Sequence, residues 1–221
     1  MIPPVVRTVL LTLLLGFSLL PVKSVSAGDF LLIDDFSKDL SGWEAKVFSG
    51  KNDYRLVPDG NNNQVLRAAS NNSASALIHK VDIDPARYPR LSWRWKVSGI
   101  IKKGDARKKA TDDYAARIYV IFPHWFKPLT RSLNYIWANK LKKDSFIPNS
   151  YFSGAVMIAV ESGDRKVGKW QVEERNLVED FRRVFGEDPP TIGGIAIMTD
   201  TDQTGESVLA WYDDIKLLKA D

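Results

Sequence analysis

The chain has 221 residues, no cysteine, seven tryptophans and a formal net charge of +4. That length suits one domain or two small ones. Hydrophobic residues make up 44% and charged residues 26%, a globular composition that excludes a disordered chain and a multi-span membrane protein. Without cysteine there is no disulfide framework, no thiolate metal site and no thiol nucleophile.

Residues 1–27 read as a secretory signal. Arg7 gives a weakly positive start, Val9 to Leu20 is an apolar run, Pro21 ends it, and Val25-Ser26-Ala27 offers small residues for cleavage after Ala27. The run is short of the roughly 20 residues a membrane span needs. The expected product is a periplasmic or secreted domain covering residues 28–221 with no transmembrane span. Cleavage would remove Arg7 and Lys23 and no acid, halving the net charge.

The remainder reads as strands. Alternation is clearest at Leu91-Ser92-Trp93-Arg94-Trp95-Lys96-Val97, with an apolar face of Leu91, Trp93, Trp95 and Val97. Strands are also expected at Phe30–Phe36, Ala45–Phe48, Gln64–Ala69, Ala76–Val81, Ala115–Phe122, Ala155–Val160, Trp170–Asn176, Ile195–Thr199 and Val208–Leu218. Turn clusters such as Pro58 to Asn63 and Ser162-Gly163-Asp164 separate them. The pattern predicts a mainly β chain folded as a single antiparallel β-sandwich, jelly-roll-like. One short amphipathic helix is expected near 177–185. Asn176 caps it, Glu179 completes the start, Leu177, Phe181, Val184 and Phe185 form a stripe, and Gly186 with Pro189-Pro190 ends it.

Leu32-Ile33-Asp34-Asp35-Phe36 and Trp211-Tyr212-Asp213-Asp214-Ile215 each set an acidic pair between apolar residues. With Gly42-Trp43, these ends look like those of jelly-roll carbohydrate-binding and galactose-binding-like domains, whose terminal strands pair in one sheet. A second resemblance is more specific. It rests on Leu133-Asn134-Tyr135-Ile136-Trp137 with Ile147-Pro148-Asn149, on Trp170 followed by Glu173 to Asn176 and Asp180, and on Met198 to Gly205. Arg117 to Val120 and Trp211 to Ile215 fit as well. Together these stretches resemble a bacterial exported family known as domain of unknown function 3047. That resemblance implies an exported domain and carries no catalytic residue with it.

Three places hold chemistry. Asp200-x-Asp202-x-Thr204-Gly205 has the alternating oxygens of a calcium loop, but Trp211 stands where an EF-hand needs glutamate, so an EF-hand is excluded. A hydrogen-bonded turn, a cation site and a ligand-contact loop all remain compatible with it. If the terminal strands are neighbours, Asp35 and Asp213 are a second potential oxygen pair, with edge protection as the alternative. Structural calcium is therefore the only cofactor suggested. Among the tryptophans, Trp93, Trp95 and Trp211 read as core, Trp211 by its alternation with Leu209 and Ile215. Trp125 and Trp137 fall instead in an apparent long connection, Pro123 to Asn149, with His124 and Tyr135.

Positive charge is local. Ile100 to Lys109 and Pro123 to Asn149 each hold five bases against one acid, leaving the rest of the exported chain net acidic. Two basic loops suit an anionic glycan or lipid headgroups. Export and the lack of a recognition motif argue against nucleic acid. Arg94, Arg117 and Tyr119 on predicted strands join His124, Trp125, Tyr135 and Trp137 as candidate ligand-binding residues. There is no G-x-S-x-G elbow and no H-x-x-x-H pair, and Glu173 and Glu174 point to opposite strand faces. The expected function is a non-catalytic envelope-binding domain for carbohydrate or an anionic glycan. The alternatives are a lyase-like polysaccharide enzyme and a structural partner in an envelope complex.

Overall fold

Side-chain alternation along the strands builds two sheets that close on a shared apolar interior. The computed structural model describes residues 29–60 and 62–220, and the expected signal segment lies outside the described residues. One sheet has six strands: β1 (Phe30–Asp34), β3 (Asp53–Pro58), β4 (Gln64–Asn71), β6 (Arg90–Val97), β11 (Gln171–Asn176) and β13 (Ser207–Leu218). The other has seven: β2 (Glu44–Ser49), β5 (Ala74–Ile83), β7 (Arg117–Phe122), β8 (Arg131–Ala138), β9 (Phe146–Pro148), β10 (Ala155–Ser162) and β12 (Ile192–Asp200). The chain ends do pair: β1 runs antiparallel to β13, from Phe30 opposite Leu218 to Asp34 opposite Ile215.

The sandwich is antiparallel except at β8 and β10, which run parallel. A parallel pair cannot be joined by a tight hairpin. The chain therefore crosses through β9, which hydrogen-bonds antiparallel to the far side of β10.

The inner faces meet through aromatic rings. Trp93 stacks on Tyr135 with centroids 5.3 Å apart, Trp95 lies 5.9 Å from Trp137, and all four are fully buried. The helix, α1 (Leu177–Phe185), forms where the stripe and caps placed it. The Asn176 side chain accepts N–H bonds from Val178 and Glu179, and Gly186 closes the end at φ 77°. Phe181 packs edge-on to Phe122 at 4.7 Å.

Two readings of the sequence need correction. The stretch 123–149 is not a loop, because β8 runs through its middle with Leu133, Tyr135 and Trp137 in the core. Its outward residues are covered too: Ile136 and Ala138 pack in a satellite cluster with Ala106, Tyr114 and Met157. Because both faces are covered, the alternation is lost from Tyr135 to Ala138. Trp211 is the second. It faces outward with Leu209, while Ala210, Tyr212, Ile215 and Leu217 point inward. A bulge between Asp213 and Lys216, with Asp214 at φ 52°, shifts the side-chain parity midway along β13.

Candidate functional site

Two polar clusters lie on opposite outer faces of the sandwich. Arg94 is on the six-stranded sheet, where it pairs with buried Asp213 and approaches Asp214 at 3.0 Å. Its guanidinium lies 4.5 Å from the Trp170 ring, and Lys96 sits between the rings of Trp170 and Trp211 at 4.9 and 4.7 Å. Asn63 donates to the same Asp213 carboxylate at 3.1 Å. Three carboxylates, Asp59, Asp213 and Asp214, surround Arg94 and Lys96, and these ion pairs brace the sheet. Arg94 and Arg117 belong to different sheets, and Arg94 is not among the residues lining the cleft of Arg117.

The cluster on the seven-stranded sheet forms a cleft of about 320 Å³. With Ile118, Val120 and Phe122 inward, β7 turns Arg117 and Tyr119 outward. By the same alternation β8 presents Asn134, and β12 presents Met198 and Asp200. Arg117 forms a fully buried ion pair with Asp200, its guanidinium 4.8 Å from the Tyr114 ring and 5.5 Å from that of Tyr119. Tyr114 N–H donates to the other Asp200 oxygen at 3.1 Å. Asp112 accepts from the Tyr114 hydroxyl at 2.5 Å and from Asn149 Nδ2 at 2.7 Å. Exposed Phe48 and Tyr151 form the rim, and Lys109 Nζ rests 4.5 Å over the Tyr151 ring.

The electrostatics follow from burial. Loss of water pushes the Asp200 carboxyl up to about 8; Arg117 opposes this, and Asp113 adds repulsion. Asp112 is raised for the same first reason, again against Arg117. Burial also holds the Tyr119 hydroxyl well above its ordinary range, so it stays a neutral donor. On two residues that line this cleft a buried polar atom has no partner among the described residues: Arg117 Nε, a donor, and Asn134 Oδ1, an acceptor. Such orphans are uncommon in native interiors, where each costs about 1–3 kcal/mol if it stays unsatisfied.

A cation would find its best ligands at Asp113, Asp200 and Asp202, whose carboxylate oxygens lie within 4.8 Å of one another. Asp113 also accepts the Thr204 N–H at 2.7 Å, which ties the 200–205 loop to the entry of β7. Asp35 and Asp213 do not join this group. Asp35 accepts from the Ser37 hydroxyl at 2.6 Å, and Asp213 is taken by Arg94.

Of the residues expected to bind ligand, Arg117 and Tyr119 line the cleft. Tyr135 and Trp137 are core: the Tyr135 hydroxyl donates to Asp180 at 3.0 Å, and Trp137 Nε1 donates to the Gly163 carbonyl at 3.0 Å. His124 stabilises a turn, its Nδ1 accepting the Phe126 N–H at 3.0 Å. Trp125 is exposed outside the cleft. Missed in the sequence were Asp112, Asn134, Asn149, Tyr151 and Phe48. The acidic pair Asp112-Asp113 before a strand, and Asn134 between apolar residues, were the available signals.

Two β-sheets packed face to face, with a polar, aromatic-rimmed cleft on one outer face, define a β-sandwich. Similar solved structures include the family 30 module of a cellulosomal cellulase of Clostridium thermocellum, at 11% identity and a TM-score of 0.48, covering 86% of this chain and 99% of that one. A family 28 module specific for non-crystalline cellulose gives 12% and 0.45, covering 87% and 97%. A xylan-binding family 22 module of Paenibacillus barcinonensis gives 11% and 0.42, covering 90% and 100%. No curated protein matches the chain. The chain belongs to the family described as protein of unknown function (DUF3047), whose model matches residues 41–216. Four stretches that carry the sequence resemblance to that family, those holding Arg117, Asn134, Asn149 and Asp200, meet in this cleft.

Proposed function

We propose that the protein is an exported, non-catalytic binding domain of the bacterial cell envelope that holds a glycan in the cleft on its seven-stranded sheet. The observation that carries this is a pair of buried polar atoms without a partner among the described residues, Arg117 Nε and Asn134 Oδ1, on residues that line the same cleft as the exposed rings of Phe48 and Tyr151. A hydroxyl both donates and accepts, so a sugar can satisfy both atoms while an aromatic face covers the ring. Asp112, Asp200 and Asp202 line the cleft against Arg117 alone. That balance favours a neutral or amino sugar over an acidic one.

Titration calorimetry against neutral, amino and acidic oligosaccharides tests the reading. Wild type should bind a neutral or amino sugar, and Asn134→Ala or Tyr151→Ala should each weaken it by roughly two- to tenfold, the scale of one lost neutral hydrogen bond or stacking contact. Absence of binding, or binding untouched by both variants, overturns it. A lyase-like enzyme is the second reading, favoured by the raised Asp200 and Asp112 carboxyls beside the neutral Tyr119. New unsaturated chain ends in the same mixtures would mark it.

A further inference from the structure

The β7–β8 hairpin ends in Pro123-His124-Trp125-Phe126-Lys127-Pro128-Leu129-Thr130, and this tip presents apolar side chains to solvent. Trp125 is 90% exposed, Phe126 51% and Leu129 55%. The tip is nonetheless held firmly. His124 N–H donates to Thr130 Oγ1 at 3.1 Å, Leu129 N–H to the Phe126 carbonyl at 2.9 Å, and Thr130 N–H to the Lys127 carbonyl at 3.0 Å. Pro128 sits in a short 3₁₀ turn, Lys127–Leu129. At the base, Pro123 lies so close to Gly193 that a Cβ there would meet its ring at 2.4 Å. Phe152, also exposed, comes from the neighbouring β9–β10 loop, and Gly154 in that loop abuts the Thr130 carbonyl.

The tip segment itself carries no acid. No acidic residue occurs between Asp113 and Asp144. Arg131 is answered by Glu187, which leaves Lys127 as the tip's own charge. From this geometry we infer that the Trp125–Leu129 tip inserts into the headgroup region of an anionic lipid bilayer and anchors the domain to a membrane surface. Tryptophan favours the water–hydrocarbon boundary, phenylalanine and leucine go deeper, and a lysine stem carries its charge back to anionic headgroups. A sugar platform fits less well. The Trp125 ring is flanked by His124 and Phe126 at 5.6 and 5.9 Å, and the polar atoms of the turn are spent on the turn itself. No residue of 123–130 lines the cleft, so this inference is independent of the glycan reading.

The test uses the chain from Gly28 onward, which contains both sheets and the core. It is sedimented with vesicles of phosphatidylglycerol and phosphatidylethanolamine, and separately with phosphatidylcholine alone. The anionic vesicles should bind it, and brominated acyl chains should quench Trp125 fluorescence. Trp125→Ala with Phe126→Ala should lower partitioning roughly tenfold, as the loss of two interfacial anchors requires. Lys127→Glu should abolish the preference for anionic lipid. Oligosaccharide binding at the cleft is measured on the same variants. No vesicle binding, or binding indifferent to Trp125 and Phe126, overturns the inference. So does loss of glycan binding in Trp125→Ala with vesicle binding intact, which would give the tip to the sugar.

Discussion

Glu173 to Gln should make this protein more stable at alkaline pH. Glu173 lies on β11 at one edge of the six-stranded sheet, half-buried, and accepts a bond from Trp95 Nε1 at 3.3 Å. Burial raises its carboxyl from 4.5 to about 7, and the nearby Glu161 adds repulsion. A tenfold change in proton affinity corresponds to about 1.4 kcal/mol. Ionising a fully dry carboxyl so raised would therefore cost about 3 kcal/mol, and water at the half-exposed side chain reduces this to about 1–2. The folded state holds its proton more tightly than the unfolded chain, whose carboxyl titrates near the ordinary value. Between pH about 4.5 and 7 the folded state thus binds more protons, and stability falls as pH rises through that window. Asp200 contributes with the same sign, so the difference between variant and wild type is the quantity to read. Urea unfolding from pH about 4.5 to about 8.5 should show Glu173→Gln matching wild type at low pH and exceeding it by about 1–2 kcal/mol at pH about 8. A variant that tracks wild type at every pH, or is weaker at the alkaline end, refutes the argument.

Three further predictions concern the cleft, the core and the exposed hairpin tip. Arg117→Met removes the cation from a buried pair and strands Asp200, so urea unfolding should show a loss of about 3–5 kcal/mol. Adding Asp200→Asn should recover part of that loss; a double variant as weak as the sum of two singles would mean the groups do not interact. Trp137→Ala should cost about 3–5 kcal/mol because it empties a fully buried site against Trp95. Trp125→Ala, at an exposed tip, should stay within about 0.5 kcal/mol in the same assay.

Much of the fold was legible because alternation reports one wet and one dry face. Leu91 to Val97 announced β6 in that way, and Asn176 with Gly186 marked both ends of α1. The pairing of the chain ends was implied by the resemblance that two acidic segments carry, and β1 does pair with β13. β8 was not legible, since both its faces are covered and its apolar residues from Tyr135 to Ala138 run on without a polar break. The same blindness moved Tyr135 and Trp137 from core to candidate site. The β13 bulge hid the outward turn of Trp211, because one irregular step reverses every later side chain.

The sequence alone determined a β-rich chain with an apolar interior and a capped helix, because periodicity and caps are local properties of neighbouring residues. It also supplied Arg117, Tyr119, Asp200 and Asp202 as residues of interest. Only the tertiary structure decided which of them act together. Strand order set Arg117 and Asp200 on adjacent strands of one sheet, brought Asn134 and Asn149 to the same cleft, and put Arg94 on the opposite face. Those contacts join residues far apart in the chain, and burial then fixed their charge states, pushing Asp200 upward beside a guanidinium it cannot leave.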